Sequence, residues 1–181
     1  MLATAQLDSP LGILHLQASD LGVRAVSFGL LAQIAASATP AARAHLEVLA
    51  RELDEYFAGT RTSFELPLDP VGTEFQQRVW RELVMIPHGT TRSYLDIARA
   101  LGNPNASRAV GLANASNPIA IVVPCHRVIG SSGTLTGYAG ELWRKQWLLE
   151  HEGAESKAGA SLFRGGNDEP CAAARRFKLP C

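Results

Sequence analysis

The run Ile119-Ala120-Ile121-Val122-Val123-Pro124-Cys125-His126-Arg127-Val128 decides how this chain is read. Its five leading apolar residues predict a buried strand that ends at Pro124. The cysteine then stands at a strand end, where the backbone is buried while the sulfur faces a pocket. A thiolate rather than a thiol is the nucleophile, and a neighbouring imidazole or cation is the usual way to make one near neutral pH. A Cys-His pair by itself carries little, because adjacent residues on a strand point to opposite faces. Its meaning depends on what surrounds it.

At 181 residues and 46% apolar, the chain can bury a real core in one unit or two small ones. It has no run of the roughly 20 apolar residues that a membrane span needs. Met1-Leu2-Ala3-Thr4 lacks the basic and apolar regions of a secretory signal. The three widely spaced cysteines form neither a disulfide framework nor a metal-binding pattern. These features predict a cytoplasmic protein with no membrane attachment, no metal and no cofactor. Net charge is zero, but it is unevenly spread. Residues 1–72 hold four Lys/Arg against eight Asp/Glu, residues 73–153 eight against six, and residues 154–181 five against three. Basic character collects in the part that contains Cys125, which permits contact with nucleic acid of moderate salt dependence.

The opening alternates in strand fashion. Thr4 to Leu7, Gly12 to Gln17 and Val23 to Phe28 read as three short strands, with turns at Asp8 to Gly12 and Ser19 to Gly22. A helix follows from about Ala41 to Phe57, with Leu46, Leu49, Leu53 and Phe57 at helical spacing and Gly59 as its stop. Leu66 to Gly72 reads as an extended linker. Thr73-Glu74-Phe75-Gln76 is a capping box, and Phe75, Val79, Leu83 and Ile86 mark the buried stripe of the helix it opens. Ser93 to Asp96 opens a second helix that reaches Leu101 and closes at Gly102. Asn103 and Pro104 then supply a cap and a first helical residue for a third. The last two helices make a helix-turn-helix candidate.

On the third helix, Arg108, Gly111 and Ala115 share one side, while Ala106, Ala109, Val110 and Ala113 lie on the other and read as core. The outward side presents one long cation beside residues with almost no side chain, so a partner can approach the backbone closely. That face suits insertion into the minor groove of DNA with little sequence preference. An arginine on a solvated helix face is also an ordinary surface residue, so other segments must bear on the choice.

Those segments are Ser107-Arg108-Ala109-Val110-Gly111 and Asn114-Ala115-Ser116-Asn117-Pro118 upstream, with Gly137-Tyr138-Ala139-Gly140 and Leu148-Leu149-Glu150-His151-Glu152-Gly153 downstream. Together with the Cys125 motif they closely resemble the O6-alkylguanine-DNA alkyltransferases, suicide repair proteins that move an alkyl group from damaged DNA to their own cysteine. The resemblance is strong from Thr73 to Gly153 and looser before it. It implies an α/β (α+β) fold: a small ribonuclease H-like sheet-plus-helix domain over residues 1–70, then a mostly helical, winged-helix-like domain over residues 73–153. Residues 154–181 are then a flexible tail in which Cys171 and Cys181 are incidental.

The resemblance also implies a role for each matching position. Cys125 is the permanent alkyl acceptor, His126 takes its proton through a water, and Glu152 holds the imidazole. Asn117 orders the turn around the cysteine, and Lys145 favours the relay by its charge. Arg108 fills the space left by an extruded base. Tyr94 contacts a phosphate and the guanine ring, Asn103 and Ser131 touch the DNA backbone, and Gly111 lies on the docking face. Tyr138, Ala139 and Val128 line the substrate pocket. The implied partner is double-stranded DNA bearing O6-alkylguanine, bound by a monomer, with O4-alkylthymine as a second substrate. Glu141 departs from the small residue common in relatives, and its charge is expected either to repel phosphate or to narrow the range of alkyl groups accepted.

Each residue also has an ordinary use: Tyr94 as packing, Asn117-Pro118 as a turn, Glu152 as a surface acid, His151 as an exposed histidine. Three other functions compete. A non-catalytic relative would lack the cysteine, which is present. A thiol hydrolase built on Cys125 and His126 would turn over. A sequence-specific regulator would need more than one long side chain on its recognition face.

Overall fold

A computed structural model describes residues 2–28, 38–135, 138 and 140–154 of the chain. The alternating N-terminal segment forms an antiparallel sheet in the order β1 (Ala3–Leu7), β2 (Leu14–Ser19), β3 (Gly22–Ser27). Leu14, Leu16 and Ala18 of the central strand are buried on the face covered by α1 (Pro40–Phe57). Thr39 caps that helix by accepting from the Ala42 amide at 3.2 Å, and Pro40 occupies its first turn. Its buried stripe is Leu46, Leu49, Leu53 and Tyr56. Phe57, expected in that stripe, is only half-buried.

The expected linker is instead tied to the edge of β3. The Val23 amide donates to the Pro67 carbonyl at 2.9 Å, and the Asp69 amide donates to the Val23 carbonyl at 2.8 Å. An edge strand leaves backbone groups unpaired, and an extended neighbour satisfies them. Gly22 permits the approach, because a Cβ there would lie 2.4 Å from the Pro67 oxygen.

In the second part the capping box forms as expected. The Gln76 amide donates to Thr73 Oγ1 at 3.3 Å and the Thr73 amide to Gln76 Oε1 at 2.8 Å, opening α2 (Glu74–Val84). Val79, Leu83 and Ile86 are buried, together with Trp80, whose indole donates to the Ala113 carbonyl at 2.8 Å. A two-residue strand, β4 (Arg92–Ser93), leads into α3 (Tyr94–Ala100), which Ser93 and Asp96 cap reciprocally. The next helix differs from expectation. Pro104–Ala106 is a single 3-10 turn, Asn103 makes no side-chain cap, and the α-helix proper is α4 (Ser107–Ala115). Ala109 also departs from the expected core set and is exposed, whereas Val110, Ala113 and Asn114 are buried. A stripe of mostly small residues gives little contrast by which to orient a helix. α4 packs on both α2 and α3, completing the helix-turn-helix.

The expected strand over Ile119 to Val123 is the main correction. Only Ile119 pairs, bridging to Val26 of β3. The chain then coils, with the Val122 amide donating to the Ala120 carbonyl at 2.8 Å and the Val123 amide to the Ile119 carbonyl at 3.0 Å. Ile121 sits at φ 71°, a conformation costly for a β-branched residue. All five residues are buried. Their apolar character therefore reflects burial inside the core, which β-propensity alone does not distinguish from pleating. Cys125–Arg127 forms another 3-10 turn, followed by β5 (Val128–Ile129), which pairs in parallel with β4. The last described helix is α5 (Leu142–His151). One apolar core runs from Ala3 through Leu53 and Ile97 to Leu148, so both parts of the chain pack against each other.

Candidate active site

Asn117 builds the turn that presents the cysteine. Its Nδ2 donates to the carbonyls of Val123 (2.8 Å) and Ile119 (3.4 Å), and its Oδ1 accepts from the Ile119 amide at 3.0 Å. Three bonds from one side chain close the coil and hold Ile121 in its strained conformation. Asn114 adds a fourth support by donating to the Cys125 carbonyl at 3.4 Å. Cys125 itself is 5% exposed and lines a cavity of about 340 Å³ with Asn114, Asn117, Tyr138, Gly140 and Arg144.

Behind the cysteine lies a buried ionic cluster. His126 Nε2 lies 2.9 Å from Glu152 Oε1. Arg127 grips the same carboxylate with Nε (2.8 Å to Oε2) and Nη2 (2.9 Å to Oε1), and its Nη1 donates to the Ile86 carbonyl at 2.6 Å. The Tyr56 hydroxyl donates to Glu152 Oε1 at 2.7 Å, and the Gly89 amide to Oε2 at 3.3 Å. Burial by itself would raise the Glu152 pKa, but hydrogen bonds and charge from His126 and Arg127 hold it well below the usual carboxylate range. Burial and this carboxylate push the Tyr56 phenol far up, so it stays a donor.

The tautomer of His126 follows. An ionised carboxylate only accepts, so Nε2 carries the proton and Nδ1 the lone pair. Nδ1 is buried and has no hydrogen-bond partner among the described residues. Burial lowers the imidazole pKa more than Glu152 raises it, which keeps the ring neutral at neutral pH and able to take a proton. The thiol is held in tension. Burial pushes the Cys125 pKa up, while the Asn117 side chain and the Lys145 charge pull it down. Lys145 is fully buried, and its Nζ donates to the Val128 carbonyl at 2.6 Å. Burial brings its pKa down to about 8, so most of its charge persists at neutral pH. At Cys125 burial outweighs both pulls, so the thiol holds its proton more tightly than a free thiol does.

The structure thus brings buried Cys125, His126, Glu152 and Lys145 together with half-buried Asn117. Tyr138 lies on the cavity wall, with a buried hydroxyl that has no partner among the described residues. Val128 is fully buried and is absent from the cavity lining; its backbone holds Lys145 instead. Ala139 lies outside the described residues, as do Gly137, Cys171 and Cys181. Glu141 lines the cavity, but its carboxylate accepts from Arg144 at 3.2 Å and from the Trp143 indole at 2.6 Å, which offsets the charge noted in the sequence. His151 is half-buried rather than exposed: it stacks on Trp147 and bonds the Tyr56 carbonyl at 2.8 Å.

Arg108 and Asn103 are exposed on the helix-turn-helix, and Ser131 is exposed in the turn after β5. Tyr94 begins α3, its ring 3.9 Å from where a Cβ on Gly111 would stand. Arg127, Asn114 and Tyr56 join the site without having stood out in the sequence. The first two lie within the quoted motifs, so adjacency was an available signal. Tyr56 had none, being 96 residues from its partner.

A nucleophile-bearing turn packed against a helix-turn-helix and backed by a small sheet defines a thiol-centred protein built on a DNA-binding scaffold. Two family models agree with this architecture. Residues 2–70 match the ribonuclease-like domain of 6-O-methylguanine DNA methyltransferase, and residues 74–154 match its DNA-binding domain. The chain belongs to the 6-O-methylguanine DNA methyltransferase family.

A methylated-DNA--protein-cysteine methyltransferase of Mycolicibacterium paratuberculosis is 62% identical over 112 residues, 62% of this chain and 68% of that one. The crystal structure of Mycobacterium tuberculosis O6-methylguanine methyltransferase superposes with a TM-score of 0.71 at 44% identity, covering 87% of this chain and 96% of that one. The Mycobacterium tuberculosis protein OGT in complex with DNA gives 0.72 at 46% identity, over 90% and 98% of the two chains.

Proposed function

We propose that the chain repairs DNA by transferring the alkyl group of O6-alkylguanine irreversibly to Cys125. The observation that carries this reading is the buried His126–Glu152–Arg127 cluster directly behind a cysteine that opens on a cavity. In the reaction the Cys125 sulfur attacks the alkyl carbon in line, forming a C–S bond. The C–O bond breaks with its electron pair on the guanine oxygen, towards which Tyr94 donates a hydrogen bond, and the released guanine anion takes up a proton from water at N1 to restore guanine. The thiol proton passes through a water to Nδ1 of His126, while Glu152 stabilises the imidazolium that forms. Lys145 favours the thiolate by its charge, and Asn117 fixes the position of the sulfur.

The lesion must leave the stack to reach a buried sulfur. Arg108 occupies the space left behind, Gly111 allows close approach, and Tyr94, Asn103 and Ser131 hold the backbone. Tyr138 covers the extruded base. The exposed face of α4 suits insertion into the minor groove with little sequence preference, as a monomer. O4-alkylthymine is a second substrate of the same pocket. Residues 1–70 serve as the N-terminal α/β domain, residues 73–153 as the DNA-binding and catalytic domain, and residues 154–181 as a tail, in a protein of the cytoplasm. Among the described residues no helix is long and apolar enough to cross a membrane.

The test is to mix the protein with a duplex bearing O6-methylguanine, measure intact mass and map the modified peptide. One added methyl on Cys125, absent in Cys125→Ser, is expected. Unmodified protein with the lesion intact, or repeated turnover as a thiol hydrolase would show, overturns the proposal.

A further inference from the structure

The cavity at Cys125 is not walled by the catalytic part alone. Val26 of β3 donates to the Pro118 carbonyl at 2.9 Å and accepts from the Ala120 amide at 3.0 Å, which pins the end of the N-terminal sheet to the turn that carries the cysteine. The residues just beyond the pin, Ser27 and Phe28, line the cavity as a result. The Phe28 ring lies 6.2 Å from the Tyr138 ring at a 59° tilt. Gly140 fits beside it only because it lacks a side chain: a Cβ there would stand 2.6 Å from the Phe28 ring.

Arg144 fixes this wall from the other side. Its guanidinium lies 4.8 Å from the centre of the Phe28 ring and 4.6 Å from that of Trp143. Its Nε donates to the Leu11 carbonyl and its Nη1 to the Gly140 carbonyl, each at 3.0 Å. One cation thus ties the β1–β2 turn, Gly140 and α5 together, and stacking on two rings restrains Phe28 from turning away.

We propose that Phe28, held by Arg144, sets the largest alkyl group that the pocket accepts. This rests on the alkyl-transfer reading above and extends it by giving the N-terminal domain a direct part in substrate choice. An aromatic wall in a closely packed site does not compress, so a bulky alkyl group meets the ring while a methyl group does not. Methylene-sized differences in such pockets change rates by roughly 10–200-fold, and a benzyl group spans several of them.

The experiment measures single-turnover rate constants for O6-methylguanine and O6-benzylguanine in the same duplex, using the full chain and its Phe28→Ala and Phe28→Leu variants. The readout is the benzyl-to-methyl ratio, in which differences in DNA affinity and folded fraction cancel. Phe28→Ala is expected to raise the ratio roughly tenfold, and Phe28→Leu, which keeps apolar packing, by less. If both variants slow the two reactions in the same proportion, Phe28 only supports the fold and the inference fails. If the parent chain takes up neither group, the proposed reaction itself has failed, an outcome distinct from an unchanged ratio.

Discussion

The Tyr56 hydroxyl donates to Glu152 Oε1 at 2.7 Å, so a residue near the end of α1 shares an oxygen with His126 and Arg127. The N-terminal sheet and helix thereby reach into the group that holds the imidazole. Tyr56 is fully buried, and it leaves this carboxylate no contact with solvent on that side.

Replacing Tyr56 by Phe removes only the donor. Hydrogen bonds to charged groups contribute about 1.5–3 kcal/mol, so the variant should lose stability of that size in urea unfolding. With one competitor gone, Oε1 also binds His126 more strongly, which raises the imidazole pKa. The pH dependence of methyl transfer should therefore move to higher pH. A stability change below about 0.5 kcal/mol would show that the bond contributes nothing.

Lys145→Gln keeps a donor for the Val128 carbonyl and removes the charge. Because that charge pulls the Cys125 pKa down against burial, the thiol should titrate at higher pH in the variant. Iodoacetamide alkylation against pH reads this directly, and methyl transfer at neutral pH should slow in parallel. An unmoved alkylation profile would remove Lys145 from the activation of the thiol.

Arg108→Ala should weaken repair of duplex O6-methylguanine far more than reaction with free O6-benzylguanine, because only the duplex requires extrusion of a base. Arg108 is exposed, so folding should be unaffected. Equal losses on both substrates would end its role as a space-filling finger.

Acid should destabilise the protein in two steps of one sign. The Glu152 pKa is depressed in the folded state from an ordinary value of 4.5, so its contribution is present above that value and lost as pH falls below it. The His126 pKa is depressed from 6.5, so the unfolded chain takes up a proton first and stability already declines as pH falls below 6.5. Urea midpoints measured from pH 7 to pH 4 should fall throughout that range. Glu152→Gln should flatten the lower part of the curve while costing about 3–5 kcal/mol at pH 7, because Arg127 is left buried without its counter-charge.

Much of the scaffold is legible in the residues. Thr73 with Gln76 and Ser93 with Asp96 announce two helix starts because the capping chemistry is local. The three N-terminal strands follow from alternation, although β2 is shifted by two residues toward the C-terminus of its expected span. The segment before Cys125 is misread for a physical reason. Ile119 to Val123 has strand-forming composition, but the Asn117 side chain uses its bonds to close a coil, and the bonds that seat that coil come from Val26 of β3, far away in the chain. Asn103 and Pro104 give a helix signal that α4 takes up only three residues later, after a 3-10 turn.

The pairing of Cys125 with His126 and the motifs that flank it are legible in the sequence, because they lie in short stretches whose order can be read directly. Only the tertiary structure decided the contacts around that pair: Tyr56 on Glu152, Lys145 on Val128 and Phe28 on the cavity wall. These contacts join residues far apart in the chain. Their existence depends on how a shared core packs the sheet against the helices, and packing of that kind leaves no periodic or local trace in the sequence.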